Sequence, residues 1–152
     1  MSRTKRHSHR GRGKQKPIVA PICPYCGKTA KCVDSSVIYH GRSYGPAWVC
    51  EDYPRCDAYC GCHPNTTRPL GTLANAELRK ARNRTHDHVD AFWKAGTWGR
   101  SDTYRWLAKA MGIEIGECHI AMFDLARCDL AVAVCVPMLD ACGYRPLFRK
   151  RQ

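Results

Sequence analysis

Two cysteine pairs, Cys23-Pro-Tyr-Cys-Gly27 and Cys50-Glu-Asp-Tyr-Pro-Arg-Cys56, decide how this chain folds. In the first, two residues separate the thiols, and Gly27 can take the positive φ that aims both sulfurs at one point. In the second, five residues intervene, with Tyr53-Pro54 available for the turn. Four soft thiolates suit a tetrahedral Zn²⁺ with Zn–S bonds of about 2.3 Å. Disulfides are the competing use of the same residues. Residues 1–17 are basic and polar, without the apolar run of a secretory leader, and cytoplasmic thiols are kept reduced. The spacing therefore predicts one structural zinc held by Cys23, Cys26, Cys50 and Cys56.

The residues between the pairs have a β pattern. Lys31 to Tyr39 alternates around Cys32, Val33, Val37 and Ile38; Gly41-Arg-Ser-Tyr-Gly45 makes a turn; Ala47-Trp-Val-Cys50 returns. Such a hairpin carries the second thiol pair back beside the first. A ribbon this small buries too little apolar surface to stand alone. The metal is expected to supply the missing folding free energy, on the order of 10 kcal/mol.

Beyond the ribbon the period changes to that of helices. Ala74, Leu78, Ala81, Thr85, Val89 and Phe92 recur at spacings of three and four, which predicts a helix over Leu73–Lys94, capped by Thr72 and stopped by Gly96. Ser101 is the expected cap of a second helix that ends at Met111 before Gly112. Asp124 is the expected cap of a third, running to about Asp140, with Cys128, Val132, Cys135, Leu139 and Cys142 as its core stripe and Pro137 inside it. The fold class is α+β: a four-cysteine ribbon followed by a lobe of about three helices. Residues 1–20 are expected to be a disordered basic tail, 21–70 the ribbon, 71–143 the lobe packed on it, and 144–152 a basic C-terminal tail.

The cysteine pairs resemble the zinc ribbons at the C-terminus of bacterial type IA topoisomerases, which carry a Cys-Pro-x-Cys-Gly knuckle and a second pair with Tyr-Pro inside. More of the chain is similar to a phage and bacterial family described as a zinc-finger-containing domain. That likeness rests on Val33-Asp-Ser-Ser-Val-Ile-Tyr39, Arg42-Ser-Tyr-Gly45, Cys56-Asp-Ala-Tyr59 and Arg68-Pro-Leu-Gly-Thr-Leu-Ala-Asn-Ala-Glu-Leu-Arg79, and runs from about Ile22 to near Met138. The chain departs from the pattern at Cys60, where an aliphatic residue is more usual. The family resemblance implies zinc and a ribbon but no particular activity. The topoisomerase resemblance implies single-stranded or distorted DNA as the ligand.

Of the 152 residues, 44% are hydrophobic, enough for a modest core, and no run approaches the roughly 18 apolar residues of a membrane span. A soluble protein of the bacterial or phage-infected cytoplasm, with no membrane contact, is expected. The net charge of +12 is unevenly spread. Residues 1–16 hold seven Lys/Arg and 145–151 hold four, with no acid in either. Residues 17–84 hold nine basic and five acidic side chains, and 85–144 hold five basic and eight acidic. Any nucleic-acid surface is therefore expected on the ribbon, the first helix and the tails, with the acidic lobe opposite.

Tyr39, Arg42, Tyr44, Trp48, Tyr53 and Arg55 interleave aromatic and cationic side chains, as a sequence-tolerant single-strand site requires. For Trp48 the plainer expectation is packing over the zinc and the first helix. Arg79, Lys80, Arg82 and Arg84 form a basic run that can follow a phosphate backbone or simply face solvent. Cys60, Cys62 and His63 are metal-type ligands without knuckle spacing, so the sequence argues against a second metal site there. His86, Asp87, His88 and Asp90 suggest a metal-dependent nuclease, but Asp87 lies about 100° around the helix from His86. Three functions follow in order: a non-catalytic nucleic-acid-binding protein with DNA favoured; a phage-type module that docks on and modulates a host nucleic-acid enzyme; and a small nuclease.

Overall fold

The structure is a computed structural model that describes residues 18–96 and 98–146. The expectations for residues 1–17 and 147–152 lie outside the described residues. An antiparallel sheet of three strands, β1 (Ala30–Asp34), β2 (Pro46–Cys50) and β3 (Tyr59–Gly61), precedes three helices, α1 (Ala76–Lys94), α2 (Arg100–Met111) and α3 (Leu125–Cys142). The α+β class and the ribbon-then-helices order follow. Among the described residues no helix is long and apolar enough to cross a membrane.

The sheet order is β1-β2-β3, so β2 is central and its Ala47, Trp48, Val49 and Cys50 are all buried. The register sets Cys32 opposite Trp48 and Trp48 opposite Cys60, which places these three side chains on one face. The first strand is shorter than the alternation predicts. It ends at Asp34, whose carboxylate accepts from the Ser36 amide at 2.9 Å and caps a 3₁₀ turn over Ser35–Val37. An Asp-Ser-Ser sequence offers its own backbone a local hydrogen bond, and here that outcompetes the ladder.

The first helix begins at Ala76, later than expected. Ala74 pairs with the sheet instead, bridging to Tyr59 through two hydrogen bonds of 3.1 Å, and Leu73 is buried in the ribbon core. Asn75, not Thr72, is the cap, and accepts from the Leu78 amide at 2.9 Å. The second helix is entered from Gly99 rather than capped by Ser101. Asp124 caps α3 as expected, accepting from Arg127 N at 2.8 Å. The buried stripe of α3 is Cys128, Ala131, Cys135 and Leu139, at helical spacings of three and four. A strict heptad drifts around a straight helix. Cys142, at the end of that heptad, is accordingly exposed rather than in the core.

Two small cores result. Cys23, Ala30, Trp48, Cys50, Ala58, Cys60 and Leu73 form the ribbon's. The lobe's is built on Leu78, Val89, Phe92, Leu107, Phe123 and Leu139, with Trp98, Trp106 and Tyr144 around Phe92 at ring separations of 5.1 to 6.3 Å.

Candidate metal centre and ribbon face

The four predicted cysteines converge. Their sulfurs all lie within 4.8 Å of one another, with Cys23 Sγ 3.5 Å from Cys56 Sγ and Cys26 Sγ 3.3 Å from Cys50 Sγ. A tetrahedron with Zn–S bonds of about 2.3 Å has sulfur–sulfur edges of about 3.8 Å. The donor set fits one zinc ion, and it is the only such group of three or more metal-capable side chains among the described residues. The backbone builds the first knuckle as the sequence implies. Gly27, at φ 73°, donates to the Cys23 carbonyl at 2.9 Å, while Cys23 N donates to the Lys28 carbonyl at 2.9 Å. In the second, Tyr53 N donates to the Cys50 carbonyl at 3.0 Å and Cys56 N to that of Asp52 at 3.1 Å, across a cis Tyr53–Pro54 bond.

The sulfurs differ in their surroundings. Burial opposes ionisation of Cys23, but amide donors at Tyr25 and Cys26 outweigh it and hold that thiol below its ordinary range. Burial pushes Cys50 up to about 12. A divalent cation among them overrides such differences and keeps every ligand a thiolate. Outside the site, Asp52 accepts from Lys28 Nζ at 2.7 Å and Arg55 Nη2 at 2.6 Å. These two bonds hold its carboxyl below the usual range.

The knuckles also start the helical lobe. Asp57, next to the ligand Cys56, accepts from Ala76 N at 2.8 Å and from Arg79 Nη2 at 3.0 Å. Tyr25, between the first two ligands, accepts on its hydroxyl from Asn75 N at 3.2 Å. Orphan amides of the α1 N-terminus are thus satisfied by side chains adjacent to the four cysteines, which a bound metal would hold in place.

Arg42 and Tyr44 stand exposed at the hairpin turn, with Arg42 Nη1 donating to the Tyr44 hydroxyl at 3.3 Å. Asp34 stiffens that turn by accepting from Ser43 Oγ at 2.6 Å. Hydrogen bonds from Ser36 and then Ser43 hold its carboxyl below the usual range. Tyr44 meets Tyr39 edge to face at 5.1 Å, and Tyr39 meets Tyr59 likewise at 6.2 Å. Tyr53 is half-buried, and Arg55 is exposed beside Asp52. Trp48 is only 8% exposed and its indole donates to the Thr67 carbonyl at 2.7 Å. It belongs to the ribbon core with Cys23, Cys50 and Leu73, and no α1 residue joins that cluster.

The basic run of α1 divides by role. Arg79 donates to the carbonyls of Asp57 and Ala74 at 2.7 and 2.5 Å and lies 3.9 Å above the Tyr59 ring. Arg82 donates to the Phe123 carbonyl at 2.9 Å and to the carbonyl and hydroxyl of Thr72 at 3.0 and 2.6 Å. Arg84 pairs with Asp129 of α3. Lys80 is exposed and enters no ion pair among the described residues. Arg79 and Arg82 therefore staple ribbon to lobe.

Cys60 is buried, with its thiol directed to the Gly71 carbonyl at 3.5 Å, and Cys62 is half-buried. Burial raises the Cys60 thiol, and pushes Cys62 up to about 11. On α1, His86 Nδ1 lies 3.6 Å from Asp90 Oδ1, whose carboxylate also meets Lys94 at 3.3 Å, and His88 Nδ1 donates to the Arg84 carbonyl at 2.8 Å. Sequence reasoning did not anticipate Asp57, Tyr25 as an anchor, or Gly71, where the ribbon meets the segment before α3. Only adjacency to the ligands marks the first two.

The three-stranded ribbon, its four converging thiols and the appended helices define a zinc-ribbon protein. Residues 19–137 match a family described as a zinc-finger-containing domain, and the chain belongs to that family. No curated protein and no solved structure matches it.

Proposed function

We propose that this protein binds single-stranded or distorted nucleic acid, with DNA favoured, through the ribbon side, without catalysing a reaction. The observation that carries the reading is the stiffened hairpin turn, where Arg42 and Tyr44 project beside Tyr39 with 67% of Tyr44 and 42% of Tyr39 exposed. Unpaired bases stack on exposed aromatic rings, while neighbouring cations neutralise phosphates. The four-thiolate site lies at the other end of the β1–β2 hairpin from this turn and acts as a scaffold, since a closed set of four ligands leaves no open position for hydrolytic chemistry. The family membership supports the zinc-containing module; the cytoplasm of a bacterium or a phage-infected cell is the location this reading assigns to it.

Titration against a labelled single strand and a duplex at two salt concentrations tests the reading. Replacing Tyr44 by Ala is expected to cost about 1–3 kcal/mol of single-strand affinity with little change in salt slope. Arg42→Ala is expected to lower affinity and to reduce the slope by about one counterion. Neither change should release zinc. Wild-type protein without affinity for either strand at low salt overturns the reading.

Deleting residues 1–16 removes seven positive charges. The slope of log affinity against log salt is expected to become shallower, because fewer counterions are released. An unchanged slope would make the tail a passenger.

A docking role is the second reading. It is favoured by an apolar groove of about 530 Å³ between the first knuckle and the lobe, lined by Pro24, Tyr25, Leu78, Met122, Phe123 and Leu125. Recovery of a host nucleic-acid enzyme after nuclease treatment of the lysate would select it over nucleic-acid binding.

A further inference from the structure

We infer that the cleft between the ribbon and α1 is the track of the single strand, seating one nucleotide with its base on Tyr39 and its phosphate on Lys80. The inference rests on the nucleic-acid reading above and gives it a site. The cleft has a volume of about 570 Å³, within the roughly 300–1,000 Å³ of ligand clefts. Tyr39 and Tyr59 form its ribbon wall; Arg79, Lys80, Asn83 and His86 form its helical wall. Among the described residues no carboxylate lines it.

The periodicity of α1 explains the second wall. Lys80, Asn83 and His86 are three residues apart, so they follow one ridge of the helix surface. That ridge turns toward the cleft because Leu78, Ala81, Thr85 and Val89 occupy the buried side. The floor is already a stack, with the Arg79 guanidinium 3.9 Å above the Tyr59 ring. Asp57 fixes Arg79 there and partly neutralises it, so Arg79 contributes shape rather than a free charge. Lys80 is exposed one residue further on, and among the described residues it has no ion pair to release before it meets a phosphate.

Tyr39 joins this cleft to the hairpin turn. Its ring also lines a second groove of about 500 Å³ that reaches Tyr44 and Pro46. Tyr44, Tyr39 and Tyr59 thus form a continuous aromatic run from the turn into the cleft, with edge-to-face contacts of 5.1 and 6.2 Å. A base with both faces free can lie along such a run, whereas a base inside a duplex is stacked on its neighbours. The cleft therefore selects for unpaired strands.

The test uses the full-length zinc-loaded chain, a fluorescein-labelled oligothymidylate and the corresponding duplex, titrated over a range of salt. Tyr39→Ala should weaken single-strand binding by about 5- to 100-fold with the salt slope unchanged, and Tyr39→Phe should restore most of it. Lys80→Ala should weaken binding and reduce the slope by about 0.7. Lys109→Ala, on the exposed face of α2 in the acidic lobe, should match wild type. Unaltered helical circular dichroism and zinc content check that each variant is folded. If Tyr39→Ala and Lys80→Ala bind like wild type while Tyr44→Ala or the tail deletion is weakened, the cleft is not the track and the nucleic-acid reading survives. If wild type binds neither strand, both fall. If the duplex binds as tightly as the single strand and Tyr39→Ala lowers both equally, the selection for unpaired bases is overturned.

Discussion

Replacing Cys50 by Ser is expected to empty the metal centre and unfold the ribbon. The bound zinc should drop from one equivalent to nearly none under mild chelation, measured by elemental analysis. Cys50 is 2% exposed and lies 3.3 Å from Cys26 Sγ, so its loss leaves three thiolates around a position that needs four. The remaining ribbon core cannot compensate. Of its seven buried residues, Cys23, Cys50 and Cys60 are thiols and Ala30 and Ala58 are small, which leaves Trp48 and Leu73 as its large side chains. The metal contribution, on the order of 10 kcal/mol, exceeds what two such side chains provide at about 1.5–3 kcal/mol each. Limited proteolysis should therefore cut between residues 21 and 70 in the variant and spare them in wild type. The damage should also reach α1, because Asp57 and Tyr25 lose the positions from which they accept the Ala76 and Asn75 amides. Most of the helical signal should persist, since the lobe has its own core around Phe92 and Phe123. Cys32→Ser is the control: Cys32 is exposed on an edge strand and is no ligand, so it should retain the full equivalent. Full zinc retention by Cys50→Ser would show that the assignment is wrong.

The ligands were legible because they are local. A knuckle is specified within five to seven residues, and a hairpin brings two knuckles together through one turn. The helices were legible by period, and their ends less so. Thr72 has the chemistry of a cap, yet Arg82 takes both its hydroxyl and its carbonyl, Leu73 is buried in the ribbon core and Ala74 is bridged to β3. Asn75 then caps α1 three residues later than the pattern alone implies. Arg79 and Arg82 show the same limit in the candidate site. In sequence they are indistinguishable from solvated or phosphate-binding arginines. Their partners are carbonyls at Asp57, Ala74, Thr72 and Phe123, two of which belong to segments that carry no sign of the contact. The aromatic run was only half visible for a related reason. Tyr44 at a turn is predictably exposed, but the approach of Tyr39 to Tyr59 depends on the sheet and the 3₁₀ turn after β1.

Gly71→Ala is expected to separate ribbon from lobe while leaving the zinc in place. A Cβ at this position would lie 2.0 Å from the Ala121 carbonyl oxygen, 2.6 Å from its carbon and 2.8 Å from its Cβ. Two of those atoms are backbone, so no side-chain rotation relieves the contact. The segment through residue 71 must lift away, and the bond from Thr72 N to the Ala121 carbonyl, now 3.2 Å, must lengthen or break. Arg82 spans the same seam, holding Thr72 on one side and Phe123 on the other, and its geometry fails with it. Overpacking of this kind costs about 3 kcal/mol. For a chain of this length that corresponds to a fall of roughly 6–12 °C in the melting temperature of the lobe. The metal site should keep its equivalent of zinc, because Gly71 touches no ligand and both knuckles are closed by their own backbone bonds. Gly116→Ala is the matched control. It has open space at the Cβ position and needs no positive φ, so the same added methyl should leave stability within a few tenths of a kcal/mol of wild type, or raise it slightly. A Gly71→Ala protein with wild-type melting behaviour would mean that the seam yields freely and the lobe does not rely on close docking at Ala121.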